Sequence, residues 1–291
     1  MFIMQKLLLF LVFVSIFGNA QNQRFNYIYQ FVSDSTNQAD VKSEMTILEV
    51  LPKFSKFYSE TVFKSDSIAK VNLEKEVLAT GSMNVKSSLK NGFFRHTIIK
   101  ESPDFKVFLM TRIGQTKLKV LDERIPNWKI LPEKQKIGDF ETQKAETELY
   151  GRKWIAWFTT EIPIQEGPYK FHGLPGLIVK IEDQSKSHSF ALNGIKNLTP
   201  EEVKNIDPTK NFVFDEGNYL EMDRKEYKKF YVENRNDPNK SVRSALGNLE
   251  MVKVNIDGKM TDINEFMRNR EKQQKEKNAK DNNLLELDLI K

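Results

Sequence analysis

The sequence predicts an α+β fold: a large curved antiparallel β-sheet, a meander able to bend into a half-barrel, with a few C-terminal helices packed on it. Three observations predict it. Short runs rich in Phe, Val, Ile and Thr recur from about residue 25 to 195, with Gly or Pro near most of their ends. The first run, Phe25-Asn26-Tyr27-Ile28-Tyr29-Gln30-Phe31, alternates with period two and sets four aromatics on one face. Helix-start boxes come only late, at Thr199-Pro200-Glu201-Glu202 and Asp223-Arg224-Lys225-Glu226.

Residues 1–20 read as a secretory leader. Lys6 supplies the positive start, Leu7 to Phe17 the apolar run, and Gly18-Asn19-Ala20 the small residues before cleavage. The run is too short to span a bilayer comfortably, so no transmembrane span is expected after cleavage. The chain is then exported to the periplasm, the outer membrane or the exterior. It has no cysteine, hence no disulfide and no lipid-acylated cysteine, and it is long enough to build a core without either.

Strands are expected at Ser43 to Leu51 and Ser55 to Phe63, split by Pro52, and at Gly92 to Lys100, Asp104 to Thr111 and Thr116 to Leu121. Further strands are expected at Glu141 to Leu149, Arg152 to Thr160, Leu177 to Glu182 and Ser189 to Ile195. Ser65 to Leu78 fits a weak helix better than a strand. The second late box opens a helix to about Asn234 with Tyr227, Phe230 and Tyr231 inward. Asp262-Ile263-Asn264-Glu265 opens a third helix. Arg268 to Asp281 is almost wholly charged or amide, so it is an exposed helix or disordered. Leu284-Leu285-Glu286-Leu287-Asp288-Leu289-Ile290 holds five apolar residues, which should dock on the sheet or on a partner. The expected organisation is a leader (1–20), one β-rich domain (21–261) and a charged tail with an apolar end (262–291).

The stretch from Gly167 to Asp183 organises this chain. Gly167-Pro168 punctuates it, and Leu174-Pro175-Gly176-Leu177 fits a type II turn. A strand follows, with Leu177, Val179 and Ile181 on one face. The aromatic-rich loop before it is either a ligand mouth or a plug that closes the end of a core. Its candidate ligand-binding residues are Tyr169, Phe171, His172 and Leu174, joined by Trp157.

Residues 173–178 spell Gly-Leu-Pro-Gly-Leu-Ile. Upstream stand Lys136-Ile137-Gly138-Asp139-Phe140-Glu141-Thr142-Gln143-Lys144-Ala145 and Gly151-Arg152-Lys153-Trp154-Ile155-Ala156-Trp157-Phe158-Thr159-Thr160-Glu161-Ile162-Pro163-Ile164. In this window, about 136 to 183, the chain resembles the GLPGLI family of Bacteroidota. Two positions depart from the family pattern: Thr142 stands where many members have cysteine, and Tyr169 where tryptophan is usual. The resemblance implies an exported protein and brings no established activity with it.

The chemistry-bearing motifs are sparse. Gly-x-Ser-x-Gly, His-Glu-x-x-His, a P-loop lysine and Gly-x-Gly-x-x-Gly are all missing, which counts against the best-known hydrolase, protease and nucleotide-binding classes. The 45 basic and 40 acidic residues are interspersed, giving +5 overall, a solvated surface rather than a nucleic-acid stripe. Of three histidines, His172 and His188 flank the 177–181 strand; with Glu182 or Asp183 they could hold a divalent metal, or they are plain surface and loop histidines. His96 reads as a half-buried strand residue. Glu161 and Glu166 are either an acid–base pair or solvated loop acids. Trp154 and Trp157 should face opposite sides of one strand. No catalytic residue, metal or cofactor is assigned.

Three functional readings follow. The first is non-catalytic binding of an apolar ligand or peptide by the curved sheet. The second is an accessory or assembly protein beside an outer-membrane uptake or secretion system, docking through its tail. The third is a metal-dependent hydrolase using His172 and His188.

Overall fold

The computed structural model describes residues 22–80, 92–114, 116–206, 218–240, 243, 253–256 and 259–291. The expected leader lies outside the described residues.

Two successive meanders, residues 23–122 and 129–197, lay down the sheet. The first contains β1 (Gln23–Val32), β2 (Val41–Val50), β3 (Phe54–Ser59), helix α1 (Glu60–Thr80), β4 (Thr97–Glu101), β5 (Lys106–Ile113) and β6 (Thr116–Asp122). The second contains β7 (Lys129–Ile137), β8 (Phe140–Leu149), β9 (Arg152–Thr159), β10 (Leu177–Asp183) and β11 (His188–Asn197). After α2 (Pro200–Lys204) come β12 (Leu220–Asp223), α3 (Arg224–Asn236), the small hairpin β13 (Lys253–Ile256) and β14 (Lys259–Asp262), α4 (Ile263–Lys280), and a 3₁₀ turn at Leu287–Leu289.

β1 joins the two meanders. It pairs antiparallel with β2 on one side and with β11 on the other, giving one 12-stranded sheet in the order β12-β6-β5-β4-β3-β2-β1-β11-β10-β9-β8-β7. Every pairing is antiparallel except β12 with β6. The sheet is open, with β7 and β12 at its margins. The predicted α+β class is therefore the observed one. No described helix is long and apolar enough to cross a membrane.

Alternation in β1 decides which face is covered. Phe25, Tyr27 and Tyr29 are buried, and the rings of Phe31 and Phe190 stack on Tyr29 at 4.9 and 4.4 Å between centroids. Trp154, Phe158, Leu118 and Ile98 extend the same core along the neighbouring strands. All three helix starts named above are capped. Thr199 with Glu202, and Asp223 with Glu226, close reciprocal boxes, and the Asp262 carboxylate accepts from the amides of Asn264 and Glu265.

The tail is ordered in both its parts. Its charged stretch is α4, in which Ile263 alone is buried. Its apolar end docks on the chain's own sheet: Leu284, Leu285, Leu289 and Ile290 pack against the core, and the Asn283 side-chain amide donates to the Val32 carbonyl at 2.8 Å.

Some expected elements differ. β3 stops at Ser59 rather than Phe63, because the Ser59 hydroxyl accepts from the Val62 amide and starts α1. Residues 92–96 are irregular rather than a strand. The amides of Phe93 and Phe94 donate to the buried Glu44 carboxylate at 2.9 and 2.7 Å, which holds this stretch off the ladder until Thr97. The type II turn is replaced by a tighter one. The Gly176 amide donates to Leu174 and the Leu177 amide to Ile162. Gly176 presses on the β9 backbone so closely that an added Cβ would lie 2.0 Å from the Thr159 carbonyl oxygen. Glycine is needed there for close approach. β7 was not foreseen; it is a charged strand with Pro132 in its middle.

Candidate functional site

The 162–176 loop crosses the covered face of the sheet and is mostly buried. Phe171 and Leu174 are almost fully enclosed in the core. Phe171 packs against Trp154 and Tyr150, with centroids 4.8 and 5.7 Å apart. His172 stacks on Phe105 at 4.6 Å, its Nδ1 lies 2.9 Å from the Lys170 carbonyl, and its own carbonyl accepts from Trp128 Nε1 at 2.7 Å.

Two wholly buried lysines anchor this loop, Lys100 from β4 and Lys170 from within the loop. Lys100 on β4 pairs with Glu166 and donates to the carbonyls of Gly167 (2.8 Å) and Phe171 (3.2 Å). Lys170 donates to Asp122 at 2.7 Å and to Glu286, which also accepts from the Tyr169 hydroxyl. Arg124 forks onto Asp122 (2.7 Å from both Nε and Nη2) and reaches Glu286 at 3.0 Å. Arg224 adds a contact to Glu286 at 2.9 Å. Burial would push these carboxyls up, but the surrounding cations win: Asp122 is held far below the usual range, and Glu286 down to about 2. Burial pushes the Tyr150 and Tyr169 hydroxyls far up, so both stay protonated.

A third buried cluster pins the tail. Arg152 donates to Asp183 (3.0 Å), to the Asn283 side chain and to the Leu284 carbonyl (both 2.6 Å). His188 lies between Tyr29 (2.8 Å) and the Asn283 carbonyl (2.8 Å).

Between the sheet and the docked tail a cavity of about 280 Å³ remains. Tyr29, Phe94 and Leu109 form its sheet side, and Leu285 and Leu289 come from the tail. Phe31 and Phe93 meet edge-to-face at 5.4 Å near its mouth, and Phe93 is 57% exposed. His96 also lines it, with Nδ1 2.7 Å from the Thr111 hydroxyl. Burial pushes His96, His172 and His188 each down to about 4, so all three are neutral at pH 7.

Of the five residues singled out in the sequence, Tyr169 alone lines the cavity. Phe171, His172 and Leu174 fill the core beside it. Trp157 lies on the opposite face of β9 from the buried Trp154 and is half-buried. His172 and His188 belong to separate hydrogen-bond networks, and no group of three or more His, Asp or Glu among the described residues is placed to hold a metal ion. Glu161 is exposed and accepts from the Glu141 amide, while Glu166 is buried against Lys100; they do not act as a pair. Sequence reasoning missed Phe31, Phe93, Phe94, Lys170 and Glu286. A lysine inside an aromatic loop, and a glutamate inside an apolar run, were the traces that could have found the last two.

A family model described as a protein of unknown function (Porph_ging) matches residues 150–180, the span of β9, the buried loop and the first half of β10. No curated protein matches the chain. Among solved structures the chain is similar to PNGF-II in its P21 crystal form, with TM-score 0.50 and 16% identity over 74% of this chain and 34% of that one. The C2 form gives the same score and identity over 74% and 33%. The chain thus spans about a third of PNGF-II, and the likeness is one of fold alone. A domain described as an outer membrane lipoprotein-sorting protein from Vibrio parahaemolyticus aligns with TM-score 0.28 and 6% identity over 63% of this chain and 88% of that one, a likeness too low to support an argument.

Proposed function

We propose that this is an exported envelope protein of the GLPGLI family that binds a small apolar ligand, or an apolar side chain of a peptide, without catalysis. Residues 1–20 are its leader, residues 21–261 its folded domain, and residues 262–291 an appended strap that closes over the sheet. One observation carries this reading: a cavity of about 280 Å³, walled largely by aromatic and aliphatic side chains, between an aromatic sheet face and the strap. The buried carboxylates Asp122, Asp183 and Glu286 around it are each paired with a cation, which suits a rigid frame better than a reaction centre. Because residues 284–290 are occupied on their own sheet, a partner docking through that end is not part of this proposal.

The test uses the chain without its leader, residues 21–291, and the neutral dye N-phenyl-1-naphthylamine. One saturable site per chain with a blue-shifted emission is expected. Leu285→Trp, which fills the cavity from the strap side, should abolish it while the thermal melt stays cooperative. Absence of a saturable site, or binding indifferent to Leu285→Trp, would refute the proposal.

A further inference from the structure

The polar character of the cavity wall is one-sided. Among the described residues its charged lining groups are Glu286 and Asp281, and no lysine or arginine lines it. The nearby cations face carboxylates: Lys170 meets Asp122 and Glu286, Arg124 and Arg224 meet Glu286 and Asp288, Arg152 meets Asp183, and Arg235 lies 3.4 Å from Asp281 itself. Its two histidines, His96 and His188, are neutral at pH 7 and supply no positive charge. The rest of the wall is largely aromatic rings and leucines, and a ring face attracts cations through its quadrupole.

The mouth shows how a cation is held there. The Lys42 ammonium lies 5.7 Å from the centroid of the Phe93 ring and donates to the Ser33 hydroxyl at 2.8 Å. Phe93 and Ser33 both line the cavity, whereas Lys42 does not. Lys42 is itself partly exposed and 3.6 Å from Asp40, so it can leave the ring at little cost.

Resting on the cavity reading above, we infer that the ligand carries an ammonium or comparable cationic head on a short aromatic or aliphatic body, and that carboxylates are disfavoured. The head takes the place beside Phe93, Ser33 and Asp281 that Lys42 approaches from outside. The body lies against Tyr29, Phe31 and Phe94. An anion in the same position would lose its hydration and find no lysine or arginine among the described lining residues to receive it. The volume also sets the scale of the body: 280 Å³ is close to the lower end of small-molecule pockets, which suits a compact ligand.

The experiment is calorimetric titration of residues 21–291 at pH 7 with three probes sharing one body: 3-phenylpropylammonium, 3-phenylpropanol and 3-phenylpropanoate. Affinity should fall in that order, with the ammonium about tenfold or more above the carboxylate. Asp281→Asn, at a partly exposed position, should shrink that ratio several-fold. Lys42→Ala should raise ammonium affinity a few-fold by vacating the ring. Equal affinities, or a preferred carboxylate that Lys42→Ala weakens, would overturn the head-group inference and leave the cavity reading standing. Binding of none of the three, together with no saturable dye site, would bring down both.

Discussion

Lys100 on β4 and Lys170 within the loop itself are both wholly buried, yet they are held in different ways. Lys100 meets one carboxylate, Glu166, and two carbonyls of the loop it supports. Lys170 meets Asp122 and Glu286, carboxylates 48 and 116 residues away in sequence, and these are shared with Arg124 and Arg224. The first is a clasp with a single counter-charge. The second is a node in a network in which each carboxylate meets more than one cation. A buried pair broken on one side leaves a naked charge, whereas a network redistributes the loss. The loop should therefore depend more on Lys100 than on Lys170.

Substitution tests that difference directly. Lys100→Met should cost about 3–5 kcal/mol, because it leaves Glu166 buried and unpaired. Adding Glu166→Leu should return much of the loss. Urea denaturation midpoints with unchanged m-values would check both, and a loss under ~1 kcal/mol for Lys100→Met would break the contrast.

Acid should act on the two regions in different pH windows. His96, His172 and His188 sit at about 4 in the folded chain against an ordinary 6.5, so the unfolded chain takes up protons first as pH falls. Their contribution is fully present above pH 6.5 and is lost between 6.5 and 4, about 2–5 kcal/mol from pH 7 to 5 for the three together. The Asp122 and Glu286 pairings have the same sign in a lower window: these depressed carboxyls stabilise fully above their ordinary range, and for Glu286 the contribution is lost progressively as pH falls from 4.5 to about 2. Stability measured from pH 7 to 3 should thus fall first through the histidines, and an increase in stability between pH 7 and 5 would contradict this account.

Lys170→Met should cost less than Lys100→Met, about 1–2 kcal/mol, since Arg124 and Arg224 still face both carboxylates. Equal losses for the two variants would show that the arginines do not compensate. The smallest effect is spectroscopic. The Lys100 charge contributes to the depression of His172. In Lys100→Met the His172 ring should titrate closer to its ordinary value, while His188, depressed by burial and Arg152, should not move. Imidazole NMR titration separates them.

The same contrast explains what the sequence disclosed. Period-two alternation in Phe25–Phe31, and turn residues near strand ends, depend on neighbours in the chain, so the meander was legible almost strand by strand. The capping boxes were legible for the same reason. β7 was not, because a margin strand carries no apolar alternation and Pro132 broke its pattern. Nor was the pairing of Lys170 with Glu286, since no local rule reports a contact across 116 residues. The loop aromatics could be named, but three of the four loop candidates turned inward to the core, and the cavity took rings from β1 and the 93–96 stretch instead. At Thr142 the hydroxyl donates to the Gln135 carbonyl at 2.6 Å, a contact fixed by the register of β7 on β8 and invisible without β7.

That overlooked strand has one more effect. An unclosed sheet offers two rows of unsatisfied peptide groups to any neighbour, and at high concentration such rows invite copies to stack edge to edge. Here one border is lysine-rich and carries a proline where its register shifts, and the other is four residues long and mostly exposed. The molecule can stay open without becoming the first layer of a fibre.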